Sequence, residues 1–388
     1  MAEILASLLE VAEKAANIAR VCRAEEALFS LLVEEKTGDD KNKKFLSDFK
    51  TLADVLIQEV IKHYVGKKFP GLAGHIYGEE SNKFTNSLGE TVYIEVCATP
   101  ADTAELLTLV LDGNHQAARL LADAVHSDSG LAPDPRLKDI AVKLEPEDLG
   151  VWVDPIDSTN QYIEGASDDK GRGGVFEHGL QCVTVLVGAY GRHDGLPIMG
   201  VVNQPFVMRD PHTGRWSGKG FWGLCYDGVR VSSIQGPPHS VDLSVVMSGS
   251  EGKHVRLAMG KLCGGDSERV RLVAGAGYKA LCVAEGFVSA YVCTKPKTTY
   301  AWDSCAPHAV LRSLGGGVAN LRRCMASFRQ GVAERGEEGK EPPQLVYHQP
   351  FPNGKGAEMW ANMDGFVAYR SPAVLQAALL ALAECERT

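Results

Sequence analysis

The sequence contains no Cys-x-x-Cys pair: its ten cysteines stand singly, several inside apolar runs such as Gln181-Cys182-Val183 and Leu281-Cys282-Val283. That spacing argues against a zinc or disulfide framework and predicts reduced thiols serving mostly as small core hydrophobes. No apolar run reaches the length of a membrane span. The first residues, Met1-Ala2-Glu3-Ile4-Leu5, carry no basic segment ahead of their apolar positions, which predicts a cytoplasmic protein with no signal peptide. A basic surplus is also missing. With 49 acids against 40 bases, the net charge of −9 excludes a general nucleic-acid or membrane-surface binder. Glycine-rich stretches at Gly315–Gly317 and Gly275-Ala276-Gly277 complete neither a Walker nor a dinucleotide pattern, so nucleotide-driven phosphoryl transfer and hydride transfer are unsupported.

What is present is ordinary globular composition, 45% hydrophobic and 23% charged, over 388 residues. That suffices for two or three domains or one large layered α/β unit. Ile4, Leu8, Val11, Ala15 and Ile18 form one stripe of an amphipathic helix over 3–23, and the reading continues helical through Ala24–Lys36. A charged stretch (Lys36–Lys44), a helix over Thr51–Val65 and a short strand at Gly74–Tyr77 follow. Residues 82–148 hold helical segments at Thr103–Leu111 and Gln116–Ala124 between Pro- and Asp-rich loops, and read as an insertion or peripheral lobe. From Leu149 strands dominate (Gly150–Val153, Leu180–Tyr190, Ile198–Asn203, Phe221–Tyr226), and the last third alternates strands with helices. Ala326–Gln344 reads as an exposed polar loop.

Four acidic constellations carry candidate chemistry. In Trp152-Val153-Asp154-Pro155-Ile156-Asp157-Ser158-Thr159 an apolar strand ends in Asp154, Pro155 forbids simple continuation, and a helix begins. Carboxylates at i and i+3 across such a corner converge on one point, and carbonyls freed there are hard oxygen ligands suited to Mg²⁺. The N–H groups of Ser158 and Thr159 at the new helix suit a phosphate. The plainer reading makes Asp157 an N-cap and Asp154 a turn residue. Gly78-Glu79-Glu80-Ser81 places adjacent acids after a strand, as a solvated turn or as a ligand pair turned inward. Thr51 and Asp54 share a helix face, with Asp54 either a rim residue or held for function. Asp303, in Trp302-Asp303-Ser304-Cys305-Ala306-Pro307-His308, caps a helix or serves a site. A thiol-phosphatase loop needs five residues between Cys and Arg, whereas Cys305 and Arg312 have six, and a haloacid-dehalogenase loop needs Asp-x-Asp.

Asp54, Glu79, Trp-Val-Asp-Pro-Ile-Asp-Ser-Thr and Trp-Asp-Ser-Cys-Ala, in this order, resemble the inositol monophosphatase superfamily of lithium-sensitive, magnesium-dependent phosphatases. The resemblance runs nearly end to end and includes Gly275-Ala276-Gly277-Tyr278-Lys279. It implies an α/β fold, the layered αβαβα sandwich, with an N-terminal lobe over 1–206 and a C-terminal lobe over 207–388 that supplies Asp303 and substrate contacts. It further implies one Mg²⁺ on Glu79, Asp154 and the Ile156 carbonyl, and a second on Asp154, Asp157 and Asp303. A third, weaker ion would lie near Asp54 and Glu79. Thr159 would hold the attacking water, with Glu79 and the Thr51–Asp54 pair behind it, and Li⁺ would inhibit.

Ser158, where most members have Gly, matches the branch acting on inositol polyphosphates. The implied reaction is removal of the 1-phosphate from inositol 1,4-bisphosphate and inositol 1,3,4-trisphosphate. A 3′(2′),5′-bisphosphate nucleotidase of the same superfamily is the alternative, and a catalytically inactive inositol-phosphate-binding scaffold the alternative from another class. Ser158, Thr159, Gly277 and Lys279 are the expected phosphate contacts, with Lys279 first for a second phosphate ahead of Lys253, Arg269 and Lys297. The branch is expected to be monomeric, with no nucleic-acid or membrane partner.

Overall fold

The computed structural model describes residues 1–24, 33–36, 49–86, 88–167, 171–236, 242–329 and 341–385. The chain opens with α1 (Ala2–Ala24), then β1 (Val33–Glu35), β2 (Phe49–Thr51), α2 (Leu52–Lys68), β3 (Ile76–Gly78), β4 (Lys83–Thr85) and β5 (Thr91–Tyr93). Helices α3 (Pro100–Val110) and α4 (His115–His126) precede β6 (Leu149–Asp157), α5 (Thr159–Glu164), β7 (Thr184–Gly191), β8 (Pro197–Arg209), β9 (Trp216–Tyr226) and β10 (Val229–Ser232). The remainder comprises β11 (Val245–Met247), α6 (Lys253–Leu262), β12 (Val270–Leu272), α7 (Ala276–Glu285), β13 (Ala290–Cys293), α8 (Ala301–Ser313), β14 (Gly317–Asn320), α9 (Leu321–Arg329), β15 (Phe366–Tyr369) and α10 (Pro372–Cys385). Among the described residues, no helix is long and apolar enough to cross a membrane.

Two sheets organise these elements. The first runs β10-β9-β8-β7-β6-β3 and is antiparallel except where β3 joins β6; the second runs β12-β11-β13-β15-β14. Both are covered on both faces, which is why β6 and β7 are buried throughout instead of alternating with polar residues. In the second sheet the strand period of two sorts side chains to opposite cores. Val245, Met247, Ala290, Val292 and Val367 pack with α6, α9 and α10, whereas Val246, Tyr291, Cys293, Phe366 and Ala368 face α7 and α8. The other face of the first sheet packs on α1 and α2. The order of layers is helix, sheet, helix, sheet, helix: the αβαβα sandwich.

Helix α8 lies unusually close to the first sheet. Gly188, Gly200 and Gly223 pair across β7, β8 and β9 and form a lane without side chains. A Cβ at Gly188 or Gly200 would overlap the main chain of Ala306, and one at Gly223 would stand 2.7 Å from the Val310 Cα. Seating α8 in this lane brings its first turn, with Asp303, over the end of β6.

Several expectations need correction. Val33–Glu35 is a strand paired with Phe49–Thr51, not a continuation of α1, while 25–32 and 37–48 lie outside the described residues. Within the expected loop 326–344, Ala326–Arg329 is the last turn of α9, and 330–340 lie outside the described residues. The segment 82–148 is not peripheral, because Leu107, Val110, Ala118, Leu121 and Val125 join the core under α1 and α2. Lys14 of α1 donates to the Val125 carbonyl at 3.0 Å. A lobe boundary at 206/207 would cut β8, and we propose that the division lies between β10 and β11. Helix α8 begins at Ala301, so Pro307 is interior to it and supplies no N–H to the Asp303 carbonyl.

Candidate active site

A β-bulge creates the core of the site. In the β6–β7 ladder Asp154 pairs with Leu186 and Asp157 with Thr184, so three steps on β6 match two on β7. The extra residue shifts the alternation, which puts Asp157 on the same face as Asp154. Val153 and Ile156 point the other way, into the α1–α2 core. Asp303 arrives from α8, and ligand oxygens of Asp154, Asp157 and Asp303 lie within 4.8 Å of one another.

Two of the three carboxylates are oriented by hydrogen bonds from their neighbours. Asp157 accepts N–H bonds from Ala276 (3.2 Å) and Gly277 (2.8 Å) at the start of α7, and the Thr184 hydroxyl at 3.1 Å. Asp303 accepts the Tyr300 N–H at 2.5 Å. Asp154 Oδ1 is buried with no hydrogen-bond partner. Such an oxygen is costly in a dry interior unless a cation or donor fills the gap. Burial, and then the charges of Glu79, Asp157 and Asp303, push the Asp154 carboxyl well above the usual carboxylate range. Burial followed by Asp157 and Glu79 does the same to Asp303. Burial also raises Asp157, against the opposing charge of Lys279. Convergent carboxylates that raise one another and leave one oxygen unpartnered fit a divalent cation with hard oxygen preferences, such as Mg²⁺.

Around this triad the remaining residues take distinct places. Glu79 lines the cavity and forms an ion pair with Lys36 at 2.7 Å. Thr51 caps α2 in a reciprocal box: Asp54 Oδ2 accepts the Thr51 N–H at 2.7 Å and its hydroxyl at 2.5 Å. Asp54 is fully buried, and burial lifts its carboxyl to about 7, with Thr51 pulling the other way. The Thr159 hydroxyl lies 3.1 Å from the Ile156 carbonyl and 3.5 Å from Asp54 Oδ1, which links the end of β6 to α2. Ser158 adopts a left-handed conformation at φ 76°.

The cavity, about 290 Å³, is walled by Glu79, Asp154, Ile156–Gln161, Ser248, Val273–Ala276, Lys279, Tyr291, Thr298–Tyr300, Trp302, Asp303 and Ala357. Lys279 is its one basic side chain among the described residues, with Nζ bonded to the carbonyls of Gly275 (2.6 Å) and Val273 (3.0 Å). Gly277, expected at the phosphate, instead spends its N–H on Asp157 and packs against β7, while Gly275 and Ala276 form the wall. Of the weaker cation candidates, Lys297 pairs with Glu358, Arg269 with Asp242 and Asp266, and Lys253 lies at the start of α6; none lines the cavity. Sequence reasoning missed Lys36, Gln58 and Thr184. A polar Thr184 beside the apolar β7 run, and Gln58 one turn after Asp54, were the available signals.

The model of the inositol monophosphatase family matches residues 5–349. The chain belongs to the inositol monophosphatase family. Human inositol polyphosphate 1-phosphatase is 48% identical, with 96% of this chain and 94% of that protein covered. The bovine protein of the same name is 47% identical, covering 97% and 96%. Rat 3′(2′),5′-bisphosphate nucleotidase 1 is 27% identical, covering 82% and 83%. The protein is thus a phosphatase of the inositol monophosphatase family.

Proposed function

We propose that the protein is a Mg²⁺-dependent hydrolase that removes the 1-phosphate from inositol 1,4-bisphosphate and inositol 1,3,4-trisphosphate. The metal part of the reading rests on the unpartnered Asp154 oxygen among three convergent carboxylates. The substrate part rests on the extent of identity with inositol polyphosphate 1-phosphatases. Glu79, Asp154 and the Ile156 carbonyl would hold one ion, Asp154, Asp157 and Asp303 a second, and Asp54 with Glu79 a weaker third. Bound Mg²⁺ supplies charge that makes water acidic and neutralises the departing oxygen.

The chain's own groups do the rest. The Thr159 hydroxyl, set between the Ile156 carbonyl and Asp54, positions the attacking water, and the Thr51 cap keeps Asp54 aimed at it. Cys305 is fully buried, and burial drives its thiol well above the ordinary range, which removes it as a nucleophile and leaves direct attack by water as the simplest route. Lys279 on the cavity wall would face the second phosphate, and Ser158 and Thr159 the one that leaves.

Phosphate release from inositol 1,4-bisphosphate and from adenosine 3′,5′-bisphosphate, each with and without Mg²⁺, tests the reading. Mg²⁺-dependent release from the inositol substrate is expected. Release from the nucleotide alone would move the protein to the nucleotidase branch, and release from neither would sink the enzymatic reading. Lithium should inhibit, because a monovalent ion among Asp154, Asp157 and Asp303 supplies too little charge; activity indifferent to it would count against that ligand set.

A further inference from the structure

We infer that Gln58 is the positioning residue that sets Glu79 against the metal centre, an inference that rests on the proposed role of Glu79 as a metal ligand. Gln58 is fully buried in α2, one turn after Asp54 and thus on the same side of the helix. Its amide grips the turn after β3 at both main-chain groups of one residue. Gln58 Oε1 accepts the Glu80 N–H at 2.8 Å, and Gln58 Nε2 donates to the Glu80 carbonyl. On the other side of Glu79, its own N–H donates to the Val153 carbonyl at 3.2 Å, just beyond the last rung of the β3–β6 pairing, Gly78 with Val153. The main chain of Glu79 is therefore pinned on both flanks, to β6 by itself and to α2 through Glu80.

Gly78 is the counterpart of this grip. A Cβ at that position would overlap the Gln58 amide oxygen, so only glycine lets the side chain reach Glu80. The same helix face thus carries Asp54 to Thr159 and, through Gln58, fixes where Glu79 enters the cavity. Partners that orient a ligand indirectly in this way are worth about 10–100-fold in metal affinity or activity. The motif around β3 does not reveal the device, because Gln58 lies 22 residues from Glu80.

Three variants and two readouts test it: Gln58→Ala, Gly78→Ala and Glu79→Gln, each examined by calorimetric titration with Mg²⁺ alone and by the Mg²⁺ dependence of phosphate release. Gln58→Ala and Gly78→Ala should each weaken Mg²⁺ binding about tenfold or more, while KM for the inositol substrate at saturating Mg²⁺ moves less than about twofold. On a Glu79→Gln background, adding Gln58→Ala should change Mg²⁺ binding less than about twofold, because the effect runs through Glu79. Gly78→Ala leaves every hydrogen-bonding group in place, so it carries the test if Gln58→Ala fails to fold. Weakened binding in Glu79→Gln with Mg²⁺ affinity unchanged in both other variants would overturn the role of Gln58 alone. Unchanged binding in Glu79→Gln would overturn both that role and the reading of Glu79 as a ligand.

Discussion

Asp157 on β6 accepts the main-chain N–H of Gly277 on α7 at 2.8 Å, across 120 residues of sequence. The bond ties a strand of the first sheet to the helix layer between the sheets, and it consumes a donor that the glycine-rich turn had suggested for phosphate. Gly277 is needed there for a steric reason as well: a Cβ would stand 2.7 Å from Leu186 Cδ2 and from Thr184 Oγ1.

Gly277→Ala should therefore push α7 away from β7 and lengthen the contact to Asp157. Overpacking of this kind costs about 1–3 kcal/mol, and the loosened carboxylate should raise the Mg²⁺ concentration needed for half-maximal activity. Urea unfolding and a Mg²⁺ titration check both effects. A variant with unaltered stability and Mg²⁺ response would refute this account of Gly277.

The metal-free protein should lose stability as pH rises through neutrality. Burial holds the carboxyl of Asp54 at about 7 and that of Glu80 at about 8. Both lie above the unfolded values of about 4. Between those limits the folded chain binds more protons than the unfolded one, so the stability these two groups contribute is complete below about pH 4 and is lost as the pH rises to about 8. A cation at the acidic cluster opposes the fall, so the rise in Tm on adding Mg²⁺ should be larger at pH 8 than at pH 5. Thermal unfolding at several pH values, with chelator and with Mg²⁺, measures this. An equal Mg²⁺ effect at both pH values would contradict it.

Ser158 holds a left-handed backbone, φ 76° and ψ 46°, directly after the bulge. That conformation strains a residue with a Cβ by about 1–2 kcal/mol, against about 0.5–1 kcal/mol of extra chain entropy lost by glycine. Ser158→Gly should accordingly raise unfolding stability by roughly 0.5–1 kcal/mol, and Ser158→Val should lower it. A shift of the urea midpoint downward in the glycine variant would show that the serine side chain stabilises this turn by more than its strain.

Much of this arrangement was legible in sequence because it is local. The apolar run ending at Asp154, the Thr51 and Asp54 pair and the stripe on α1 each express a period or a cap within a few residues. The unread parts depend on distant chain. Val33–Glu35 is a strand because Phe49–Thr51 pairs with it, and no pattern in 24–36 announces that partner. Helix α8 reaches back to Ala301, with Asp303 in its first turn accepting the Tyr300 N–H, and only the packed position of that turn shows which of the two readings of Asp303 holds. The apolar faces of α3 and α4 looked peripheral because their cover, α1, lies about a hundred residues earlier. The bulge at Asp154–Asp157 was the most consequential omission. Asp-x-x-Asp suggested convergence across a corner, but the common face comes from one extra residue against β7.

Lys279→Ala separates two roles for this lysine on the cavity wall. Its Nζ bonds the carbonyls of Val273 and Gly275, so part of its effect is to hold the turn that presents Ala276 and Gly277 to Asp157. Loss of that hold should lower turnover of every substrate alike. A second phosphate adds a charge that only the polyphosphorylated substrate carries, and a charged hydrogen bond to it is worth about 1.5–3 kcal/mol, or roughly 10–100-fold. The variant should therefore lose about that much more in kcat/KM on inositol 1,4-bisphosphate than on a monophosphate. Because kcat/KM compares the transition state with free enzyme and substrate, the difference between the two losses isolates the second phosphate. Equal losses on both substrates would confine Lys279 to shaping the turn beside Asp157.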